Sequence, residues 1–394
     1  MITVHGTGCC LVDNLYADCD FSSQAFRRAL SQKEGDGGLA PGKLVFVQDF
    51  ERFLGKPYQE ALAELAPAPG SRGLGGPSVV SLAHAAQVLG KRAEISFFGV
   101  KGNDESADFI ESSIKRIPFS ACRLVQKEHP SPFTDVLSDR RYDGGRGERT
   151  FINMLGAAAH FSPEDLPGDF FSASIVAFGG TAILPKIHEN LAGLLKQARE
   201  KGAITFVNLV HDFPSELAAP GRKWKLGAKD DAYPFIDVLV ASKNEALKTT
   251  GAASVKDAIH WFISRGTQAV VITDGAQTVS FAAEKGVFSG TKISYLPVCH
   301  EVERELVYHP ERAGDTTGCG DNFAGGVLAD IAEQLAVVEK GKLDIRESVI
   351  QGIAAGGFAR FTVGGIFYEA SIGEKRNRLT QYLEAYCRQL VNRV

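Results

Sequence analysis

The sequence predicts an α/β fold in which a mostly parallel sheet is sandwiched between two helical layers and carries a small β-rich lid. Three observations predict it. From residue 93 onward, short apolar runs alternate with helical patterns at the spacing of βαβ units. Glycines stand at the turns between them. Two regions, 20–70 and 120–155, break the alternation with short strand-like pieces joined by polar turns.

The elements follow in order. An apolar first strand ends at LVD, with Asp13 last. Residues 20–70 hold a Gly-rich stretch (EGDGGLAPGK), a strand-like run (KLVFVQDF) and a helix-like run (PYQEALAELA), before a Pro/Gly linker (PAPGSRGLGG). GGPSVVSLAHAAQVLG leads from two glycines into a helix. AEISFFGV reads as a strand and DESADFIESSIKRI as a helix. CRLVQ, FTDVLSD and RTFINML then give strand-like pieces around the turn RYDGGRGE. Alternation resumes with SIVAFGG, PKIHENLAGLLKQAREKG, AITFVNLV, FIDVLVAS, KNEALKTTG and QAVVITDGAQTVSFAAEKGVFSG, and the last third is mostly helical. The expected division is a core of 1–19, 71–119 and 156–394, with 20–70 and 120–155 as lid and insertion. Neither of the latter is long enough for a core of its own.

Composition narrows the function. At 394 residues, 44% hydrophobic and 23% charged, the chain has ample material for a large core. A net charge of -4 and no run of Lys and Arg offer nothing to nucleic acid or an anionic membrane surface. No run of apolar residues reaches membrane-spanning length, and MITVHGTGCCLVD lacks a basic n-region, so a cytoplasmic protein is expected. Seven cysteines without a CxxC pair or zinc spacing read as free thiols in a reducing compartment. Small-molecule chemistry is the remaining class.

Three motifs fail. GGLAPGKL puts Leu44 where a phosphate loop needs a hydroxyl, and a strand-like run follows instead of a helix. GTGCCL lacks the third glycine of a dinucleotide fingerprint. His300, Glu301, Val302 and Glu303 have no second His at helical spacing and read as a solvated loop.

AGDTTGCGDNFAGG, residues 313–326, carries chemistry. Gly318, Cys319 and Gly320 are small and open a helix, so a polyanion can approach backbone N–H groups at the positive end of the dipole. Asp321 in the first turn reads as a helix cap or as a proton acceptor. With Asp315, Thr316 and Thr317 already present as capping candidates, an acceptor beside an anion hole, as phosphoryl transfer to an alcohol needs, is the stronger reading.

DTTGCGD resembles the DTxGAGD signature of the ribokinase or PfkB-type carbohydrate kinases, with Cys319 where that family usually has Ala. Asp13, GGPSVVSLAHAAQVLG from Gly75, FFGVKGNDESADFI, VASKNEALKTTG and VITDGAQTVSF are similar to further family segments across nearly the whole chain. The resemblance implies a ribokinase-like fold and ATP-dependent phosphorylation of a sugar hydroxyl, or alternatively of an adenosine-like nucleoside. It implies Asp321 as base, with Gly318, Cys319 and Gly320 holding the transferring group. Asp13, Gly75, Gly76 and Asp321 would contact the acceptor, with Gly75 and Gly76 as a hinge for lid closure. Thr273, Gly275, Thr316, Gly318, Gly320 and Gly356 would hold the nucleotide, and Gly357 beside Gly356 equally serves close helix packing. Glu245 would organise Mg2+ through water; a monovalent cation and a homodimer through the lid are further expectations.

Several departures bear on the substrate. Val80 stands where the family often has a sugar-contacting Asn, Ser242 replaces the Asn of NxxE, and 20–70 is longer than in compact sugar kinases. The spacing from Asp13 to Gly75 and RTFINMLGAAAHF are similar to adenosine kinases, yet Cys9 stands where their first-strand Asn is expected. Two readings outside the kinases are a hydrolase with Cys319 as nucleophile at the helix N-terminus, and an inactive sugar- or nucleotide-binding protein.

Overall fold

The structure, a computed structural model, describes residues 1–33, 35–66 and 70–392, so part of the Pro/Gly linker lies outside it. Its strands in chain order are β1 (Ile2–Gly8), β2 (Leu11–Tyr16), β3 (Leu44–Phe46), β4 (Ser71–Gly75), β5 (Ala93–Lys101), β6 (Ala121–Gln126), β7 (Phe133–Asp139), β8 (Glu148–Met154), β9 (Ile175–Gly179), β10 (Ile204–Asn208), β11 (Val238–Ser242), β12 (Ala269–Thr273), β13 (Val279–Ala283) and β14 (Thr291–Leu296). A nine-stranded sheet runs β14-β13-β12-β11-β10-β9-β1-β5-β6, and a five-stranded sheet runs β3-β8-β7-β2-β4. Neighbours from β12 to β6 pair in parallel, and only the β12–β13–β14 edge is antiparallel.

The central strands IVAFG and ITFVN are buried at every residue, as a parallel sheet covered on both faces requires. One face packs on helices Pro77–Leu89, Cys319–Leu335 and Ile345–Phe358 through Leu82, Val327 and Ile353. The other packs on helices Leu191–Glu200 and Val255–Ser264 through Leu195, Ile259 and Phe262. The three-layer α/β sandwich expected from the sequence is therefore present. The parallel strands end together at Gly8, Gly179, Asn208, Ser242 and Thr273, and this carboxyl edge is where α/β sheets place ligand sites. Among the described residues, no helix is long and apolar enough to cross a membrane.

Local readings change at several points. CRLVQ is not a lid strand: as β6 it pairs in parallel with β5 at the edge of the large sheet, returning through helix Glu105–Ile114 as a crossover does. The second sheet instead takes β2 and β4, so it begins at Leu11 and includes Asp13. It also has a core of its own, contrary to expectation, because the insertion lays Phe26, Phe50 and Leu62 on Leu137 and Ile152 of the sheet. Those insertion helices cover the outer face, and a dimer through that face would have to displace them. KLVFVQDF is a strand only over Leu44–Phe46 and turns into helix Val47–Leu54. The expected loop at His300 is helix His300–Tyr308, with Val302 buried and Glu301 and Glu303 favourably placed in the first turn.

Candidate active site

Helix Cys319–Leu335 starts from Gly318, whose φ of 73° lies in the left-handed region, and no side chain caps it. A Cβ on Gly318 would stand 2.5 Å from the Gly365 Cα, so conformation and space both demand glycine. At Gly320 an added Cβ would meet nothing within 4 Å, which leaves that side open to a ligand. Asp315 pins the loop from behind, its Oδ1 accepting from Thr317 N at 2.9 Å and Gly364 N at 3.3 Å. The side chains of Asp315, Thr316 and Thr317 thus do not cap the helix; the Cys319 N–H reaches Thr316 O at 3.4 Å, and the N–H groups of Gly318 and Gly320 remain for an anion.

Asp321 lies in that first turn, and Asn208 Nδ2 at the end of β10 donates to its Oδ1 at 3.4 Å. Burial, and then the Glu245 carboxylate, push the Asp321 carboxyl up to about 7. Asp13, paired with Gly73 and Thr134 in the second sheet, is also pushed up to about 7, by burial first and then by Asp321 and Asp315. These acids are therefore close electrostatic neighbours at the mouth of the fold. A Cβ on Gly75 would come within 1.9 Å of Asp13 Oδ2, so the first glycine of the pair makes room for the carboxylate. Gly76, with φ of 110°, starts helix Pro77–Leu89.

On the other side of the helix start lies a cavity of about 360 Å³, lined by Thr273, Gly275, Thr316, Cys319, Gly320 and Gly356 among others. Three distant segments expected to hold a nucleotide thus meet in one place; Gly318 alone of that set is not on its wall. Val279, Val298, Val302, Phe323 and Ile353 add apolar surface and Arg360 a cation, all missed in the sequence. Such walls suit a flat base. Gly356 packs closely as well: its Cβ would sit 3.0 Å from Cys319 O and 3.1 Å from Phe323 Cβ. Gly356→Leu is expected to raise KM for ATP about tenfold, equivalent to ~1.4 kcal/mol. Equal loss of ATP and acceptor binding, seen by calorimetry, would mark general misfolding instead.

The remaining predicted residues are accounted for locally. Val80 is 2% exposed, and an added Cβ on Gly365 would lie 2.8 Å from its Cγ2, so it is a core residue behind the loop. Ser242 caps helix Lys243–Thr250 reciprocally with Glu245, whose Oε2 accepts from Ser242 N at 2.7 Å. No cluster of three or more acidic, His or Cys groups that could hold a metal occurs among the described residues. Glu245 beside Asp321 suits a Mg2+ that arrives with phosphates and keeps its waters. Burial raises the Cys319 thiol to about 11, despite Arg360; that is the opposite of an activated nucleophile.

Four residues escaped the sequence reading. Arg149 on β8 reaches Thr317 Oγ1 with its Nη1 at 3.4 Å, joining the second sheet to the anion-hole loop. Thr134 and Asn153 lie in register with Asp13 across β2, β7 and β8, on the same face as Arg149. Asn208 is the fourth, and its place at the end of a buried parallel strand is a signal that could have found it.

The model of the "pfkB family carbohydrate kinase" matches residues 75–370. A fructokinase of Rhizobium leguminosarum bv. trifolii is 24% identical over 69% of this chain and 78% of that protein. An adenosine kinase of Schizosaccharomyces pombe is 23% identical over 60% of this chain and 67% of that one. In structure, the chain is similar to Anopheles gambiae adenosine kinase in complex with P1,P4-di(adenosine-5) tetraphosphate (TM-score 0.66, 20% identity, 91% of this chain and 95% of that chain). It is also similar to Thermotoga maritima ribokinase (TM-score 0.61, 16% identity, 98% and 100%). Those structural likenesses establish a ribokinase-like fold. The family match spans Gly75 and Gly76, the residues lining the cavity and the start of helix Cys319–Leu335 alike, and by it the chain belongs to the pfkB family of carbohydrate kinases.

Proposed function

We propose that this kinase transfers the γ-phosphate of ATP to a hydroxyl of a sugar, with Asp321 as the base and the Gly318–Gly320 amides as the anion hole. One observation carries the choice of a sugar. Asp13, Thr134 and Asn153 form a row of carboxylate, hydroxyl and carboxamide across the second sheet. Asn153 Nδ2 donates to Thr134 Oγ1 at 2.8 Å, while its Oδ1 is buried with no partner. A buried polar atom left unpaired calls for a ligand or water donor, and a polyol supplies several hydroxyls at that spacing.

In this reading the first-turn amides and Arg149 meet the charge that spreads over the transferring group. The second sheet acts as a lid that excludes water once acceptor is bound. Asp321 takes the hydroxyl proton as the oxygen–phosphorus bond forms. Magnesium, when bound, neutralises phosphate charge, and Glu245 is the residue that would hold its waters. Turnover in K+ against Na+ at equal ionic strength tests the monovalent cation.

Asp13→Asn preserves size beside Gly75 and removes a charged acceptor. It is expected to raise KM for the acceptor about 10- to 100-fold, the worth of a hydrogen bond to a charged group. An unchanged KM in a variant that melts like wild type would remove Asp13 from the site. The reading as a whole is tested by ADP formation with ketohexoses, aldopentoses, sugar acids and nucleosides. Turnover confined to nucleosides would move the assignment to the alternative nucleoside kinase, consistent with the adenosine kinase among its relatives. No turnover with any acceptor would return it to an inactive binding protein.

A further inference from the structure

Lys375, in the first turn of helix Glu374–Val391, is 1% exposed. Lysine is almost never buried so fully unless a carboxylate pairs it. Here the ammonium donates to two neutral oxygens instead, Asn322 Oδ1 at 2.9 Å and Gln87 Oε1 at 3.1 Å. Its backbone N–H takes the Glu369 carboxylate at 2.8 Å. Holding a cation on amide oxygens alone costs stability, and burial accordingly lowers the Lys375 pKa to about 7. The arrangement needs a reason outside the stability of the core.

Asn322 supplies one. It follows Asp321 directly, and its Nδ2 donates to Gly318 O at 2.9 Å and Gly365 O at 2.8 Å. Two carbonyls on one side and an ammonium on the other allow a single amide orientation. His84 Nδ1 lies 3.0 Å from the same Oδ1, and burial keeps that ring neutral with Nε2 unpartnered, so Nδ1 carries the proton and donates. Asn322 thus uses its whole hydrogen-bonding capacity. The carbonyl of Gly318 accepts the helix's first backbone bond, from Asn322 N at 2.8 Å, and Gly365 is the residue against which Gly318 packs.

Resting on the kinase reading above, we infer that Lys375 is a positioning residue for phosphoryl transfer. It is a buried amine behind the anion hole, linked through Asn322 to the carbonyl of Gly318. The ammonium draws on Asn322 Oδ1, strengthens the two bonds from Nδ2, and clamps the loop before the helix to the loop around Gly365. Its charge adds to the positive end of the Cys319–Leu335 helix, on the side away from the ligand.

Lys375→Met keeps the chain length and removes the charge. It is expected to fold with a Tm equal to or above wild type, while kcat falls about 10- to 100-fold and acceptor KM stays within about threefold. Affinity for a non-hydrolysable ATP analogue is expected to fall while affinity for ADP is kept, a split that a merely structural role would not produce. Asn322→Leu should show the same loss, and the double variant should be no worse than either single one. A folded Lys375→Met with kcat within about twofold of wild type overturns the inference. So do multiplicative losses in the double variant and, if Lys375→Met does not fold, full turnover in Asn322→Leu. Failure of the wild type on every acceptor would instead sink the kinase reading itself.

Discussion

Asp321→Asn is expected to lower kcat by about 10²–10⁴ while leaving affinity for ATP and acceptor within about threefold. The alcohol must lose its proton, and phosphoryl transfer otherwise asks little covalent work of a protein. An ordinary carboxylate, near 4, would accept that proton only late. Raised to about 7 by burial and Glu245, Asp321 is a better base at neutral pH than its type suggests. The sign of the pH dependence follows: protonated Asp321 cannot act, so wild-type kcat should fall as pH drops through about 7. Asp13 titrates in the same range in the free protein, so kcat/KM reports the two acids together. The kcat profile, taken with acceptor bound, is the one to compare with the variant, in which this limb should vanish. A carboxyl raised in the folded state stabilises below its unfolded pKa and loses that contribution as pH rises through the folded value. Asp321→Asn should therefore melt above wild type at pH 8, the gap closing toward pH 4. If Asp321 only capped its helix, Asn would cap as well and near-wild-type turnover would be found; that result would falsify the assignment.

Arg149→Met is expected to lower kcat by about 10²–10³ with a smaller change in either KM. Arg149 stands on the lid strand β8, yet its Nη1 reaches Thr317 Oγ1 of the anion-hole loop. A hydroxyl is a weak partner for a guanidinium, so the cation is held near the transferring group without being neutralised. The loose transition state spreads charge over the equatorial oxygens, where such a cation acts. Arg149→Lys should recover only part of the rate, because a point charge lacks the planar fork. The control is Arg146→Met on the same lid, whose side chain is exposed and pairs with Asp143 at 3.1 Å. If both Arg variants slow turnover alike, lid stability and not charge is responsible.

The uncapped helix start was legible in the sequence because it is made by consecutive residues. Gly318, Cys319, Gly320 and Asp321 share one helix start, and the physics of an uncapped N-terminus needs no distant partner. The parallel sheet was equally legible, since strands buried on both faces write themselves as unbroken apolar runs. Asp13 reads in the sequence as the end of the first strand, but the structure places it inside β2, and of the cavity glycines only Gly275 stands at a turn while Gly320 and Gly356 lie in helices.

Distance in sequence separates what remained. The basicity of Asp321 depends on Glu245, in the first turn of the helix after β11, and on Asn208, at the end of β10. Asn153 joins Asp13 only through the register of three strands, and a shift of one residue would turn it to the opposite face. CRLVQ looked like a lid strand because strand propensity does not say which sheet a strand will join; the crossover through Glu105–Ile114 decides it. Nothing local in the sequence marks Lys375 as buried, and only folding places its ammonium against Asn322 in the interior. Local chemistry was therefore written in the chain by itself, whereas burial, register and the meeting of charges from separate segments were set by tertiary structure, since desolvation and Coulomb energy depend on neighbours in space.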